Sequence, residues 1–123
     1  MDILKILKEK LEKYGEDEYI CTKKELQGNW EKNAFTDQVK PKNTEDLWVR
    51  SRLLPLGRIV EEDLKAHTYS IVYEVGKPFG TEAFAVTAAD KDTVYIAAFS
   101  KDKLFCKGTA KKAAELLISK LNK

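Results

Sequence analysis

The chain has 123 residues and a mass of 14.0 kDa, the length of one compact domain, which leaves no room for a separate catalytic domain. With 43% hydrophobic and 34% charged residues and a mean hydropathy of -0.45, it is neither an apolar membrane-spanning chain nor a disordered polar one. Against 20 Asp and Glu, 22 Lys and Arg leave a net charge of +2, too balanced for the basic footprint of a dedicated duplex-binding domain, so nucleic acid is not expected as a partner.

In the opening segment Ile3, Leu7, Leu11 and Tyr14 recur at the spacing of one helical face, with Lys and Glu opposite. Asp2 is positioned to cap this helix and Gly15 to stop it. Tyr19, Ile20 and Thr22 form a short β-prone run, and the polar stretch from Gln27 to Asp46 holds Gly28, Asn29, Asn33, Pro41 and Asn43. That composition predicts a loop with at most a short helical turn. A structureless connection of this length is uncommon in a compact domain, so Trp30 and Phe35 are expected to pin it to the body, unless it serves as a binding loop.

From Leu47 the texture changes to short β-rich runs: LWVRSRLL, GRIVEEDL, HTYSIVYEV, TEAFAVTAA, DTVYIAAF and KLFC. In the third, Tyr69, Ile71, Tyr73 and Val75 alternate with Thr68, Ser70, Val72 and Glu74, the pattern of a sheet with one covered face. Asp90-Lys91-Asp92 and Ser100-Lys101-Asp102-Lys103 are connectors too short for parallel crossovers, so the pairing is expected to be antiparallel. The chain closes on a helix that Thr109 can cap, with Ala110, Ala113, Ala114, Leu117 and Leu121 as its apolar stripe. These elements predict a single α+β domain over residues 1–123. Its expected form is a central antiparallel sheet of about six to seven strands with the N- and C-terminal helices packed on the same face.

The residues offer little that converges on catalysis. Cys21 and Cys106 lie 85 positions apart without a CxxC spacing, and His67 is the single histidine, so neither a structural zinc site nor another metal or cofactor is expected. The chain carries no signal-peptide pattern and no apolar run that approaches the roughly 20 residues that span a bilayer, so the cysteines are expected to be reduced, buried thiols of a cytoplasmic protein. His67 has no Ser or Cys motif beside it and reads as a surface or hairpin-edge residue. Glu61, Glu62 and Asp63 are consecutive, and side chains on successive strand positions point to opposite faces, so they read as a solvated turn and not a metal cluster. Neither GxGxxG nor a Walker A string occurs, and VGKPFG joins two predicted strands as a Pro-Gly turn. The chain is therefore expected not to be an enzyme.

One feature resists a purely structural explanation. Lys111 and Lys112 fall in the first turn of the last helix, at the positive end of its dipole, where cations are unfavourable by roughly 0.3–1 kcal/mol each. Residues 101–123 carry seven Lys and two acids, a balance of +5, whereas residues 1–46 carry nine Lys and eleven acids, a balance of -2. Such segregation fits either a solvated helix face or a basic patch for an acidic protein surface or for anionic lipid headgroups.

Three segments in the last 77 residues resemble the profilin family of actin-monomer-binding proteins. LWVRSRLLPLGRIVEEDL is similar to two consecutive strands of that fold joined by a Gly-containing turn, EAFAVTAADKDTVYIAAF to its penultimate hairpin, and KGTAKKAAELL to the NKKxYEM segment that opens its final helix. The resemblance implies an actin-monomer-binding protein, cytoplasmic and cytoskeleton-associated, regulating actin polymerisation. The family's paired lysines fall on Lys111 and Lys112 and its glutamate on Glu115, with Lys107 beside them, while the motif's asparagine and tyrosine fall on Ala110 and Ala114. A hydrophobic contact of the family falls near Trp48 or Val49. It further implies phosphoinositide lipids as ligands. Polyproline binding is not expected, because the first helix offers only Tyr14 as an aromatic and the last offers none. The departures suit a divergent or archaeal-type member. A second reading is an α+β scaffold of the roadblock or longin kind, acting through a dimer or a GTPase partner; those folds insert a long helix after the second strand.

Overall fold

A computed structural model describes residues 1–76, 81–101 and 108–122. The first helix, α1, spans Ile3–Tyr14, and its Asp2 cap forms as expected, the carboxylate accepting the Lys5 amide at 3.1 Å. Gly15 is required by space: a Cβ there would fall 2.5 Å from the Leu11 carbonyl oxygen and 2.7 Å from Cys21 Sγ. The chain turns away at Tyr19. There the Ile20 amide donates to the Gly15 carbonyl at 2.8 Å and the Tyr19 amide to the Glu16 carbonyl at 3.1 Å, the paired bonds of a Schellman motif with Tyr19 in its left-handed seat at φ 58. Residues 19–22 therefore make a turn, not the predicted strand, and bury Ile20 and Cys21 beneath α1.

The stretch from Gln27 to Asp46 is more ordered than its composition suggests. It holds the end of one short 3-10 helix, Glu25–Gln27, a second over Trp30–Asn33, and strand β1, Ala34–Val39. Trp30 pins it as expected, its ring tilted against Phe99 with centroids 6.2 Å apart. The next segment corrects a prediction: residues 46–53 form helix α2, Asp46–Leu53, not a strand. Val49 and Leu53, one turn apart, are its buried face, while Asp46 in the first turn and Arg50 and Arg52 in the last complement the helix dipole. A run this short fits a strand period or a helix period, and the packing of Val49 and Leu53 into the core decides between them.

The remaining elements are β2, Arg58–Asp63; β3, Thr68–Val75; β4, Thr81–Asp90; β5, Thr93–Phe99; and helix α3, Gly108–Leu121. They form one sheet of order β1-β5-β4-β3-β2, antiparallel throughout as the short connectors predict. Among the described residues there are five strands and not six to seven; the predicted KLFC strand lies outside them. The α+β class stands.

The placement of the helices does not follow the prediction. Ile3, Leu7 and Leu11 of α1 pack on Val72, Phe84, Val86, Ala97 and Phe99. Leu117 and Leu121 of α3, with Val49 and Leu53 of α2, pack on Ile71, Tyr73, Ala85, Ile96 and Ala98. Neighbouring strand positions belong to opposite faces, so the terminal helices cover opposite faces of the sheet. The cause is in β4, where residues 83–88 are buried without a break: a strand apolar at both parities needs a cover on each side. The alternation in β3 misleads because Thr68 and Ser70, though polar, are buried at 3% and 0%. Small residues let α3 sit close, Ala113 and Ala114 facing Ala85 and Ala98, and the buried Tyr73 hydroxyl donates to the Ala113 carbonyl at 2.6 Å. The segment 47–64 is thus a helix followed by one strand, so the two consecutive strands of the resemblance are not formed there. The long helix after a second strand that marks the roadblock or longin kind is not formed by the described residues either: α2 has 8 residues and follows β1.

Candidate functional site

The start of α3 presents the paired lysines as the apolar stripe dictates. Ala110, Ala113, Ala114 and Leu117 are buried against the sheet, which turns Lys111, Lys112 and Glu115 outward to solvent. Lys111 and Glu115 stand four apart, in the Lys-before-Glu order that is the weaker of the two for a helical ion pair. Among the described residues neither lysine is in an ion pair. Lys107 lies outside the described residues.

Trp48 and Val49 sit on the neighbouring helix α2. Val49 is 2% exposed and part of the core, which corrects its expected role as a contact. Trp48 is half-buried on α2, with the Arg52 guanidinium 5.2 Å from its ring centroid. Two tyrosines of β3 fix where the helices lie. Tyr69 donates its hydroxyl to the carbonyl of Asp46, the first residue of α2, at 3.1 Å, and Tyr73 donates to Ala113. Four strand residues separate the anchors by about 13 Å, so α2 begins over one end of β3 and α3 over the other. The basic site reduces to Lys111, Lys112 and Glu115.

The acidic triplet is also placed differently from its sequence reading. Its residues end strand β2 and are not a solvated turn. Glu61 turns toward α1, where it accepts from Lys13 at 2.9 Å and from the Tyr14 hydroxyl, and pairs with Lys10. Burial raises the Glu61 carboxyl, but the bonds from Lys10, Tyr14 and Lys13 outweigh it and bring the group down to about 2. Glu62 turns the other way and pairs with Arg50 of α2. Adjacent carboxylates thus tie one helix on each face to the edge strand.

At the far end of β3, three loops close on a recess of about 420 Å³ lined by Thr44, Glu45, Asp46, His67, Ala89 and Lys91. The Thr44 hydroxyl donates to the Lys91 carbonyl at 2.8 Å and the Ala89 amide to the His67 carbonyl at 3.0 Å. His67 Nδ1 lies 3.0 and 3.2 Å from the two carboxylate oxygens of Asp46, 21 positions earlier in the chain. His67 and Lys91, each in a hairpin turn, both have left-handed backbone, φ 53 and 58. The sequence reading did not find this pair. A histidine just before a strand marks a turn, but nothing in the order of residues brings the start of α2 beside it.

Among the described residues no group of three or more His, Cys, Asp and Glu is placed to hold a metal ion. Burial, with Glu25 adding to it, pushes the Cys21 thiol up to about 11, which makes it a poor nucleophile. No described helix is long and apolar enough to cross a membrane.

No family model matches the chain, and no curated protein matches it. A solved structure to which it is similar is a TBP-like protein from Parabacteroides distasonis, at 14% identity and a TM-score of 0.36 over 61% of this chain. The matched part spans 61% of that protein's length.

Proposed function

We propose that this chain is a non-catalytic protein-binding domain that docks an acidic partner surface on the exposed start of α3. Actin monomer is the first partner to try, because the resemblance to profilin designates it. The observation that carries the reading is that Lys111 and Lys112 face solvent without an ion-pair partner among the described residues, Lys111 in the first turn of α3, where the helix dipole disfavours cations, and Lys112 just after it. An acidic surface approaching that turn would gain from both lysines. Anionic phosphoinositide headgroups would compete for the same charges, and a role in the cytoskeleton follows from the actin reading. Because residues 46–53 are helical, the resemblance rests on residues 82–99 and 107–117, and the terminal helices on opposite faces depart from it.

The test is actin polymerisation with the wild-type protein and with Lys111→Glu/Lys112→Glu. The wild type at several-fold excess should lengthen the lag and enlarge the monomer pool. The double variant should lose most of that effect, with an unchanged circular dichroism spectrum, since both side chains are exposed. No effect of the wild type removes actin as the partner. An effect that survives charge reversal removes this site.

A further inference from the structure

The recess at the end of the sheet holds a histidine arranged for chemistry that the binding surface on α3 does not use. We propose that His67 is a phosphoryl acceptor, taking an activated phosphoryl group on Nε2.

Four observations support this assignment. The His67 side chain is 56% exposed on a turn, so a donor can reach it. Its Nδ1 faces the Asp46 carboxylate through both oxygens, and a carboxylate only accepts; in the neutral ring the proton therefore sits on Nδ1 and the lone pair on Nε2. Nε2 itself has no partner among the described residues. Finally, Lys91 lines the same recess with its ammonium unpaired among the described residues, a cation for the phosphoryl oxygens. The hydrogen bonds that tie Thr44 to Lys91 and Ala89 to His67 hold the two turns together.

The step balances without a further reactant. The Nε2 lone pair attacks phosphorus, the bond from phosphorus to the leaving group breaks, and the leaving group departs with that electron pair. With phosphoramidate the leaving group is ammonia, and with acetyl phosphate it is acetate. The Nδ1 proton stays on the ring, and Asp46 offsets the positive charge that the ring acquires.

Because the chain has one histidine, a histidine adduct can form at one place only. The whole protein is incubated with phosphoramidate, which stands for a nitrogen-bound donor, and separately with acetyl phosphate, which stands for an acyl phosphate. Intact mass and ³¹P NMR follow the product. The expected result is a single acid-labile adduct on Nε2 with at least one donor, and the donor that reacts identifies the source. His67→Gln should abolish it. Asp46→Asn and Lys91→Ala should each slow it by roughly tenfold, the lower end of what carboxylates behind a ligating imidazole contribute. Circular dichroism checks that the variants fold. Lys111→Glu/Lys112→Glu should react like the wild type, since the adjoining Ala113 is held at Tyr73, toward the other end of β3. No adduct with either donor overturns the proposal, as does an adduct that forms equally fast in Asp46→Asn and Lys91→Ala, which would mark His67 as an ordinary exposed imidazole.

Discussion

Glu61 gathers more polar contacts than any other side chain described above. Lys10, Lys13 and Tyr14 of α1 converge on it from one direction, while its neighbour Glu62 leaves toward Arg50. The strand period explains the divergence, and it was legible: three consecutive acids cannot share a site on a strand. Their partners were not legible, because Lys10 and Glu61 meet only when α1 lies across the sheet. With a folded value of about 2 against an ordinary 4.5, Glu61 stabilises the fold above its ordinary value. That contribution is lost as pH falls through about 2, because the protonated carboxyl no longer holds the two lysines. Glu61→Gln should cost about 1–3 kcal/mol at neutral pH in urea unfolding. The difference from wild type should shrink between pH 4.5 and about 2. A difference that stays constant over that range would show that the carboxylate charge is not what holds α1.

At the scale of elements, the helices with a long apolar stripe, α1 and α3, were legible from spacing alone, and the Asp2 N-cap of α1 fell where expected. The misassigned elements, residues 19–22, β1 and α2, are all short segments. α2 is 8 residues and β1 is 6; segments of that size carry too few repeats for the period to separate helix from strand, so packing decides. In the connection after α1, the turn residue is not the glycine. Gly15 is held right-handed at φ -57 against the Leu11 carbonyl, and Tyr19 takes the left-handed seat with 96% of its surface exposed. A left-handed L-residue costs roughly 1–2 kcal/mol, part of which glycine gives back in chain entropy. Tyr19→Gly should therefore raise stability by up to about 1 kcal/mol, seen as a higher denaturant midpoint. A lower midpoint would mean that the Tyr19 ring makes a stabilising contact.

For the whole molecule, one sheet serves two cores. Leu7 is sealed on the α1 face and Leu117 on the α3 face, both at 0% exposure. Removing either side chain to Ala should cost about 2–5 kcal/mol, counting the cavity left behind. Because the two faces share strands β3, β4 and β5, each variant should still unfold in a single transition by calorimetry. Two separated transitions in either variant would show that the layers fold independently. Charge is distributed at this scale as well: the lysine-rich end from residue 101 onward carries Lys111 and Lys112 to one end of β3, while Asp46 and His67 meet at the other.

The order of residues by itself determined the α+β class, antiparallel pairing, the two long helices and the exposed lysines of α3. Each depends on contacts or periods within about a dozen neighbours, which local spacing records. Only the tertiary structure decided that the terminal helices cover opposite faces, that residues 46–53 are helical, and that His67 meets Asp46. The reason is burial. A strand apolar on both faces does not say which helix covers which, and a polar pair 21 positions apart meets only once the sheet and α2 have brought the ends of their elements together.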